Sequence, residues 1–396
     1  MARIFTAGNE LAEPLDEGWY WDETNNVGYG SVNQRNGPRT AESNGGNWYY
    51  LLAQNYDLKH FPGYFGRPPS FPIADTFSEL YVRFHYYGAA YVSGERAILS
   101  FVGGDNSTYF TLAVYDSATS TTSGNPAGIR FRENTTGTAH IQAASVFINN
   151  VWNLFEVRLK LGGGGTGVAE IRVNEVVVGS VTTTLLGPAL QTQMAGIHMR
   201  CRQNGGTNRS NYYDNFAVND TTGTVNNSWP GEGFVVLRQP QRDGTTTQLT
   251  TDERTSGVDN ADRIGSDDRR LPSRDTIGST GAGWGTGDKT IVHSGFVYPT
   301  AVPQKDTYTV DQLPFDAGAI HAISTFSRAR GRTPLSTNVR HLITPPAQSE
   351  IQTPQLGIPA TVPGPQAHHF NENPNTSVAF TVNEVNNMEL GIQFEA

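Results

Sequence analysis

The sequence predicts an all-β protein made of antiparallel sheets packed as sandwiches. Several runs alternate strictly between apolar and polar residues, which is the period of a strand with one buried face. The chain also contains 43 glycines and 22 prolines among its 396 residues, and these interrupt it at the short intervals typical of turns between strands. No window of ordinary length shows the 3.6-residue period of an amphipathic helix.

The clearest strand lies at residues 155–161, where apolar residues alternate with Glu156, Arg158 and Lys160. The same alternation recurs in three further runs, at residues 80–86, 129–132 and 197–202. Four glycines at residues 162–165 predict a loop between two strands. Asn174 and Glu175 predict the turn of a hairpin, because asparagine tolerates a positive φ there. Together these elements predict a sheet meander in the first half of the chain.

A run of turn-forming residues at 219–223 marks a boundary. At roughly 100–200 residues per domain, the length of the chain predicts two domains. We therefore expect one domain at residues 1–218, a linker at 219–231 and a second domain at 232–396. The second domain is expected to be a smaller β-sandwich with long loops.

The second domain contains apolar runs that predict strands, at residues 234–237, 320–326 and 378–382. Val385 and Met388 predict a single helical turn before a last strand at 392–394. Three polar, glycine-rich or proline-rich stretches predict exposed loops or arms, at residues 250–275, 278–287 and 345–365.

Composition narrows the range of partners. The net charge is −9, and an acidic surface repels phosphate backbones, so nucleic acid is not expected as a partner. The first residues lack the apolar core of a signal peptide, and no stretch reaches the roughly 18 apolar residues that span a bilayer. We expect synthesis in a cytoplasm and no membrane insertion.

The single cysteine, Cys201, allows no internal disulfide and lies on the apolar face of its run.

Four segments of the first half resemble a concanavalin A-like or laminin G-like jelly roll, at residues 79–84, 152–158, 170–174 and 213–220. The segment that joins the two halves of the chain also resembles a segment of tailed-phage virion proteins. In this segment, turn-forming residues at 219–223 precede Asn226-Asn227-Ser228-Trp229-Pro230-Gly231. The C-terminal end is similar to the same proteins, at residues 373–376, 380–385 and 390–392.

This resemblance implies a non-enzymatic structural protein of the virion, displayed on the particle surface as a capsid decoration, head fibre, tail fibre or tail tip. Its partners would be other capsid or tail subunits, and it would form a homo-oligomer, with a trimer as the expected form. Its location would be the virion. The alternatives are a carbohydrate-binding adhesin that attaches to host-surface glycan, and a glycoside hydrolase or lyase of the same fold.

Motifs for catalysis are absent from the sequence. Glycoside hydrolysis needs two carboxylates flanking one bond, and the nearest pair, Glu156 with Glu170, is interpreted as surface charge that pairs across strands. There is no Gly-x-Ser-x-Gly motif. Residues 283–290 do not match the phosphate-binding loop motif, because Asp288 occupies a position that the motif reserves for glycine. We therefore expect no catalytic residues.

Metal-binding spacing is also missing. His368 and His369 are the one histidine cluster, and neighbours on a strand point to opposite faces. The acidic loop at 259–268 supplies oxygen ligands, but it lacks a calcium-loop pattern and contains arginines. We expect no metal and no cofactor.

Aromatic residues are the remaining candidates for a binding site. Tyr81, Tyr87, Tyr109 and Tyr115 fall on the more polar faces of their strands, where they predict either a platform for sugar rings or a contact with another subunit. Further aromatics occur in runs near the start, at residues 19–21 and 48–50, and half of these are expected in the core. The subunit contact is the favoured interpretation, because no sugar-site arrangement accompanies the tyrosines.

Overall fold

A computed structural model describes most of the chain. The described residues are 3–7, 20–21, 26–30, 40–44, 47–51, 77–88, 95–103, 108–116, 126–134, 136–186, 194–200, 211–235, 240–251, 297–310, 312–313, 318–329, 338–358 and 364–396. The chain divides into two compact units, of which unit 1 comprises residues 1–65 and 72–235, and unit 2 comprises residues 66–71 and 236–396.

Unit 1 is a two-sheet β-sandwich. Its strands are β1 (Arg3–Ala7), β2 (Tyr20–Trp21), β3 (Asn26–Gly30), β4 (Thr40–Asn44), β5 (Asn47–Leu51), β6 (Glu79–Gly88), β7 (Glu95–Gly103), β8 (Thr108–Asp116), β9 (Pro126–Glu133), β10 (Ala139–Ile148), β11 (Asn153–Lys160), β12 (Gly167–Val173), β13 (Val176–Thr183), β14 (Met194–Arg200) and β15 (Asn211–Asn219). The first sheet has the order β13-β12-β11-β6-β15-β4-β3, with β1 beside β15, and the second has the order β10-β9-β8-β7-β14-β5-β2. The strand pairs within both sheets are antiparallel.

The core of unit 1 lies between the two sheets, and strand alternation explains its composition. On β6, Leu80, Val82 and Phe84 are fully buried. Phe155 of β11 stacks on Phe84 with the ring centroids 5.5 Å apart. From the second sheet, Phe110 and Phe131 stack at 5.6 Å. The predicted strands at 80–86, 129–132 and 155–161 are therefore confirmed.

The predicted turns of unit 1 are also present. Asn174 and Glu175 have φ values of 50° and 67° and join β12 to β13, which is the pair of positive φ angles that a tight two-residue hairpin requires. Gly163 and Gly164 have positive φ in the loop between β11 and β12.

Unit 2 is a smaller β structure. Its elements are β16 (Pro240–Thr247), β17 (Thr250–Thr251), β18 (Val297–Tyr298), β19 (Gln304–Val310), β20 (Ile323–Ala329), β21 (Asn338–Thr344), β22 (Ile351–Gln352), β23 (Leu356–Gly357), β24 (Gly364–Phe370), α1 (Val382–Asn387) and β25 (Glu389–Glu395). The main sheet has the order β16-β19-β25-β21-β22, with β23 also beside β21, while β17-β18 and β20-β24 form two-stranded sheets. The predicted all-β class is confirmed.

Three predictions for the second half are wrong. Residues 378–382 do not form a strand, because Thr381 caps α1 and forms a reciprocal capping box with Glu384. The stretch 345–365 is not an exposed arm where it is described, since Ile351 and Leu356 are buried beside β21. Phe234 and Val235 lie outside any strand. The predicted helical turn at Val385 is confirmed.

Several sequence predictions lie outside the described residues. These are Cys201, Trp19, the acidic loop at 259–268 and the glycine-rich stretch at 278–287. Within the described part of the chain, no helix is long and apolar enough to cross a membrane.

Candidate functional site

One face of the first sheet of unit 1 points away from the core and carries polar and aromatic side chains. We call it the polar face. Its described members from β6, β11, β12 and β15 include Glu79, Tyr81, Arg83, His85, Tyr87, Leu154, Glu156, Arg158, Lys160, Val168, Glu170, Arg172, Tyr212 and Asp214. The strand register places Arg83 beside Glu156, and Glu156 beside Arg172.

Residues 220–235 cross this polar face, and we call them the strap. The backbone of Gly231 is held twice, since its N–H donates to Glu156 Oε1 at 2.8 Å and its carbonyl accepts from Arg83 Nη1 at 3.0 Å. Further along, the Val235 N–H donates to Asn215 Oδ1 at 2.7 Å. Residues 219–231, which the sequence predicts as a linker, therefore pack within unit 1.

Trp229 anchors the strap through its ring. The guanidinium carbon of Arg172 lies 3.9 Å from the centroid of the Trp229 ring, which is a cation–π contact. Tyr81 meets the same ring edge-on, with the centroids 5.3 Å apart. Tyr81 is consequently only 8% exposed, so the strap covers this predicted site residue.

Glu156 is a buried carboxylate rather than a surface charge. It is 2% exposed, because the strap lies over it. The pKa of Glu156 is raised, because the effect of burial exceeds the lowering by the Gly231 N–H and by the charges of Arg172 and Arg83. The sequence interpretation of Glu156 as a solvated charge is wrong, since it assumed that nothing covers this face.

Two other carboxylates of the polar face do form the ion pairs that strand neighbours favour. Arg158 Nε lies 2.7 Å from Glu79 Oε1, which links β11 to β6. Arg172 Nη2 lies 2.9 Å from Glu170 Oε1 on its own strand. Glu170 is therefore paired with an arginine, and Glu156 is paired with a backbone N–H.

The strap also brings a carboxylate onto the middle of the polar face. Glu232 Oε1 lies 3.2 Å from His85 Nε2. The side chain of His85 is 2% exposed, whereas that of Glu232 is 42% exposed. Glu232 therefore covers the histidine while presenting its carboxylate to solvent.

Three aromatic rings form a row at one end of the polar face, and we call them the aromatic row. Tyr87 of β6 lies directly opposite Tyr212 of β15, and Trp152 immediately precedes β11. The Tyr87 ring meets Trp152 and Tyr212 edge-on, in both cases with the centroids 5.7 Å apart. Tyr87 and Trp152 are half-buried, and Tyr212 is 8% exposed.

The four tyrosines singled out from the sequence do not share one site. Tyr87 belongs to the aromatic row and Tyr81 lies beneath the strap. Tyr109 is 6% exposed and packs with the core cluster. Tyr115, on the second sheet, is half-buried, donates to the Ala143 carbonyl at 3.2 Å and lies 5.5 Å from the Arg130 guanidinium.

Sequence reasoning missed Trp152, Tyr212 and Trp229 as members of this face. The position of Trp152 could have been predicted from the sequence, because it directly precedes an alternating strand. The position of Tyr212 depends on the pairing of β15 with β6, which joins residues far apart in the chain. Trp229 lies in a segment whose turn-forming residues predict a linker.

The histidine pair of unit 2 lies on a paired strand. His368 and His369 lie on β24, not in a loop, and Ser324 Oγ is 2.6 Å from His369 Nδ1 across the β20–β24 ladder. Among the described residues, no three side chains of His, Cys, Asp or Glu come together in a group that would hold a metal ion.

No protein-family model and no curated protein matches the chain. Among solved structures it is similar to an endo-β-1,4-glucuronan lyase from the fungus Trichoderma reesei, at 14% identity and a TM-score of 0.35, over 55% of this chain and 95% of the lyase. It is also similar to an alginate lyase from Aplysia kurodai, at 9% identity and a TM-score of 0.34, over 55% of this chain and 98% of that one.

A third similar structure is that of botulinum neurotoxin type C, whose cell entry depends on interaction with two ganglioside molecules. It is 10% identical, with a TM-score of 0.33, over 55% of this chain and 47% of the toxin chain. The structural neighbours are thus carbohydrate-binding or lyase jelly-roll proteins. Identities and TM-scores of this size assign no activity, substrate or site residue to this chain.

The lyases contradict the expectation that this chain is not an enzyme. That expectation rested on the absence of a carboxylate pair and of a serine nucleophile. Both motifs belong to hydrolysis and acyl transfer, whereas a lyase cleaves by elimination and requires neither. The absence of those two motifs therefore does not bear on cleavage by elimination.

Proposed function

We propose that this chain is a surface component of a tailed-phage particle, and that unit 1 binds a glycan through the aromatic row. The observation that supports glycan binding is the contact of Tyr87 with both Trp152 and Tyr212. Aromatic rings stack on the apolar faces of sugar rings, and a few rings with nearby polar groups are the usual lining of such sites.

The aromatic row is preorganised for this role. Each ring is held against another ring, and Tyr212 is almost fully buried, so few rotamers are lost when a ligand arrives. Tyr87 and Trp152 remain half-buried and present the ring surface that a sugar contacts. One such contact is weak, but many copies on one particle convert weak contacts into firm attachment.

The resemblance to phage virion proteins supports the particle location. The residues that carry it include Trp229 and Gly231, which dock the strap, and Thr381 with Glu384, which cap α1. They therefore coincide with features that hold each unit together. The partners would be neighbouring capsid or tail subunits and further copies of this chain.

Binding to an immobilised panel of neutral and acidic oligosaccharides tests the glycan role. Trp152→Ala is expected to weaken binding by about two- to twelve-fold, since stacking on one aromatic ring contributes on the order of 0.5–1.5 kcal/mol. Tyr87→Leu, which removes a ring but keeps apolar volume, is a second variant. The matched control is Tyr115→Ala, which removes a half-buried tyrosine from the other sheet.

Equal loss in the control, or binding that survives both row variants, would reject the aromatic row as the site. The bound oligosaccharides are then recovered and analysed by mass spectrometry, so that cleavage is detected as well as binding. Shortened products would establish an enzyme acting on that glycan.

A further inference from the structure

Building on the proposed glycan site, we infer that the strap makes the aromatic row selective for neutral glycans over uronate-bearing ones. The inference depends on which charges the strap covers and which it presents. It extends the proposed function by naming the class of ligand.

The strap covers the buried cation at the centre of the polar face. Arg83 is 3% exposed and donates both to the Gly231 carbonyl and to the Asn215 carbonyl. Arg172 is stacked on Trp229 and paired with Glu170. These guanidinium groups already have acceptors, so a sugar carboxylate would have to displace protein contacts to reach them.

The charge that the strap presents is negative. The side chain of Glu232 is 42% exposed and lies on His85, which is two residues from Tyr87 on β6. Strand residues rise about 3.3 Å each, so His85 and Tyr87 stand about 7 Å apart.

An acidic sugar stacked on Tyr87 would therefore lie within about one Debye length of Glu232 at ordinary salt, roughly 10 Å. Like charges about 8 Å apart in a medium of high dielectric repel enough to weaken binding about two- to six-fold. A neutral sugar experiences no such repulsion and gains the same stacking.

The test compares two probes that differ only in the carboxylate, cellohexaose and a β-1,4-linked hexamer of glucuronate. Dissociation constants are measured for the full chain and for Glu232→Gln at 20 mM and 300 mM salt. The full chain is expected to bind the neutral hexamer at least two-fold more tightly, because the nearest carboxylate of the glucuronate hexamer alone weakens binding about two- to six-fold. Glu232→Gln is expected to reduce this preference without changing affinity for the neutral hexamer. The control Glu372→Gln removes one charge from unit 2.

Equal or tighter binding of the glucuronate hexamer by the full chain would overturn the inference and leave the glycan site intact. A preference that is undiminished in Glu232→Gln at low salt would likewise overturn it. If neither hexamer nor any panel glycan binds, the proposed function itself fails, and the inference fails with it. High salt is expected to narrow the preference, since screening weakens the repulsion.

Discussion

His341 of unit 2 makes stability depend on pH in a direction that the structure determines. The ring is 3% exposed on β21. Its Nδ1 lies 2.8 Å from Thr325 Oγ1 and its Nε2 lies 2.7 Å from Ser327 Oγ. A neutral imidazole has one donor and one acceptor nitrogen, so both hydroxyls are satisfied without a charge. Burial, assisted by nearby His368, lowers the pKa of His341 from 6.5 to about 3.

The lowered pKa means that the unfolded chain binds a proton at His341 more readily than the folded chain does. Its contribution to stability is therefore complete above the unfolded pKa of 6.5 and is lost progressively as the pH falls toward 3. At 1.36 kcal/mol per pH unit, lowering the pH from 7 to 5 costs about 2 kcal/mol, and lowering it to 4 costs about 3 kcal/mol. Burial also lowers the pKa of His368, which acts in the same direction.

The assay is denaturant unfolding of the full chain at pH 7 and pH 5, followed by hydrogen exchange at β21 amides. We compare the chain with His341→Gln, which keeps polar atoms but cannot titrate, and with His321→Gln at an exposed histidine. The loss of free energy between the two pH values should shrink by about 2 kcal/mol in His341→Gln alone. An unchanged loss in that variant would refute the reasoning.

Two further predictions concern the strap and the location of the protein. Gly231 has a φ of +68°, and a Cβ added at this position would contact no neighbouring atom. A Cβ added at Gly357 would also contact none, but Gly357 does not have a positive φ. Gly231→Ala should therefore lower the free energy of unfolding of unit 1 by about 1 kcal/mol through backbone strain, whereas Gly357→Ala should have little effect on unit 2. Calorimetry of both variants checks this, and equal effects would contradict the strain argument. Immunogold labelling of purified phage particles with an antibody against unit 1 should decorate the head or the tail; protein found free, with all particles unlabelled, would reject the virion location.

Much of unit 1 is predictable because strand alternation is local. The alternation at residues 80–86 and 155–161 is sufficient to identify the buried face of β6 and β11. The same rule predicts polar residues on the opposite face, but it assumes that this face meets water. Glu156 and Tyr81 are buried because a segment from beyond β15 returns across them, and alternation carries no information about such long-range cover.

Unit 2 is less predictable because its apolar runs are short and its turns are specific. Residues 378–382 have the composition of a strand, yet the side chains of Thr381 and Glu384 satisfy backbone donors at the start of α1. The proline-rich stretch at 345–365 has the composition of an arm, although Ile351 and Leu356 bury their side chains there. Local propensity is overridden in both places by contacts with other elements.

The docking of the strap determines where this chain can be cut or exchanged. A fragment ending at residue 218 would have the complete strand composition of the sandwich, but it would uncover Glu156, Arg83 and Tyr81 together. A fragment that keeps the whole strap ends at Val235, where unit 1 ends. Recombination that exchanges C-terminal domains between related genes would therefore keep these contacts intact when the crossover falls beyond the strap.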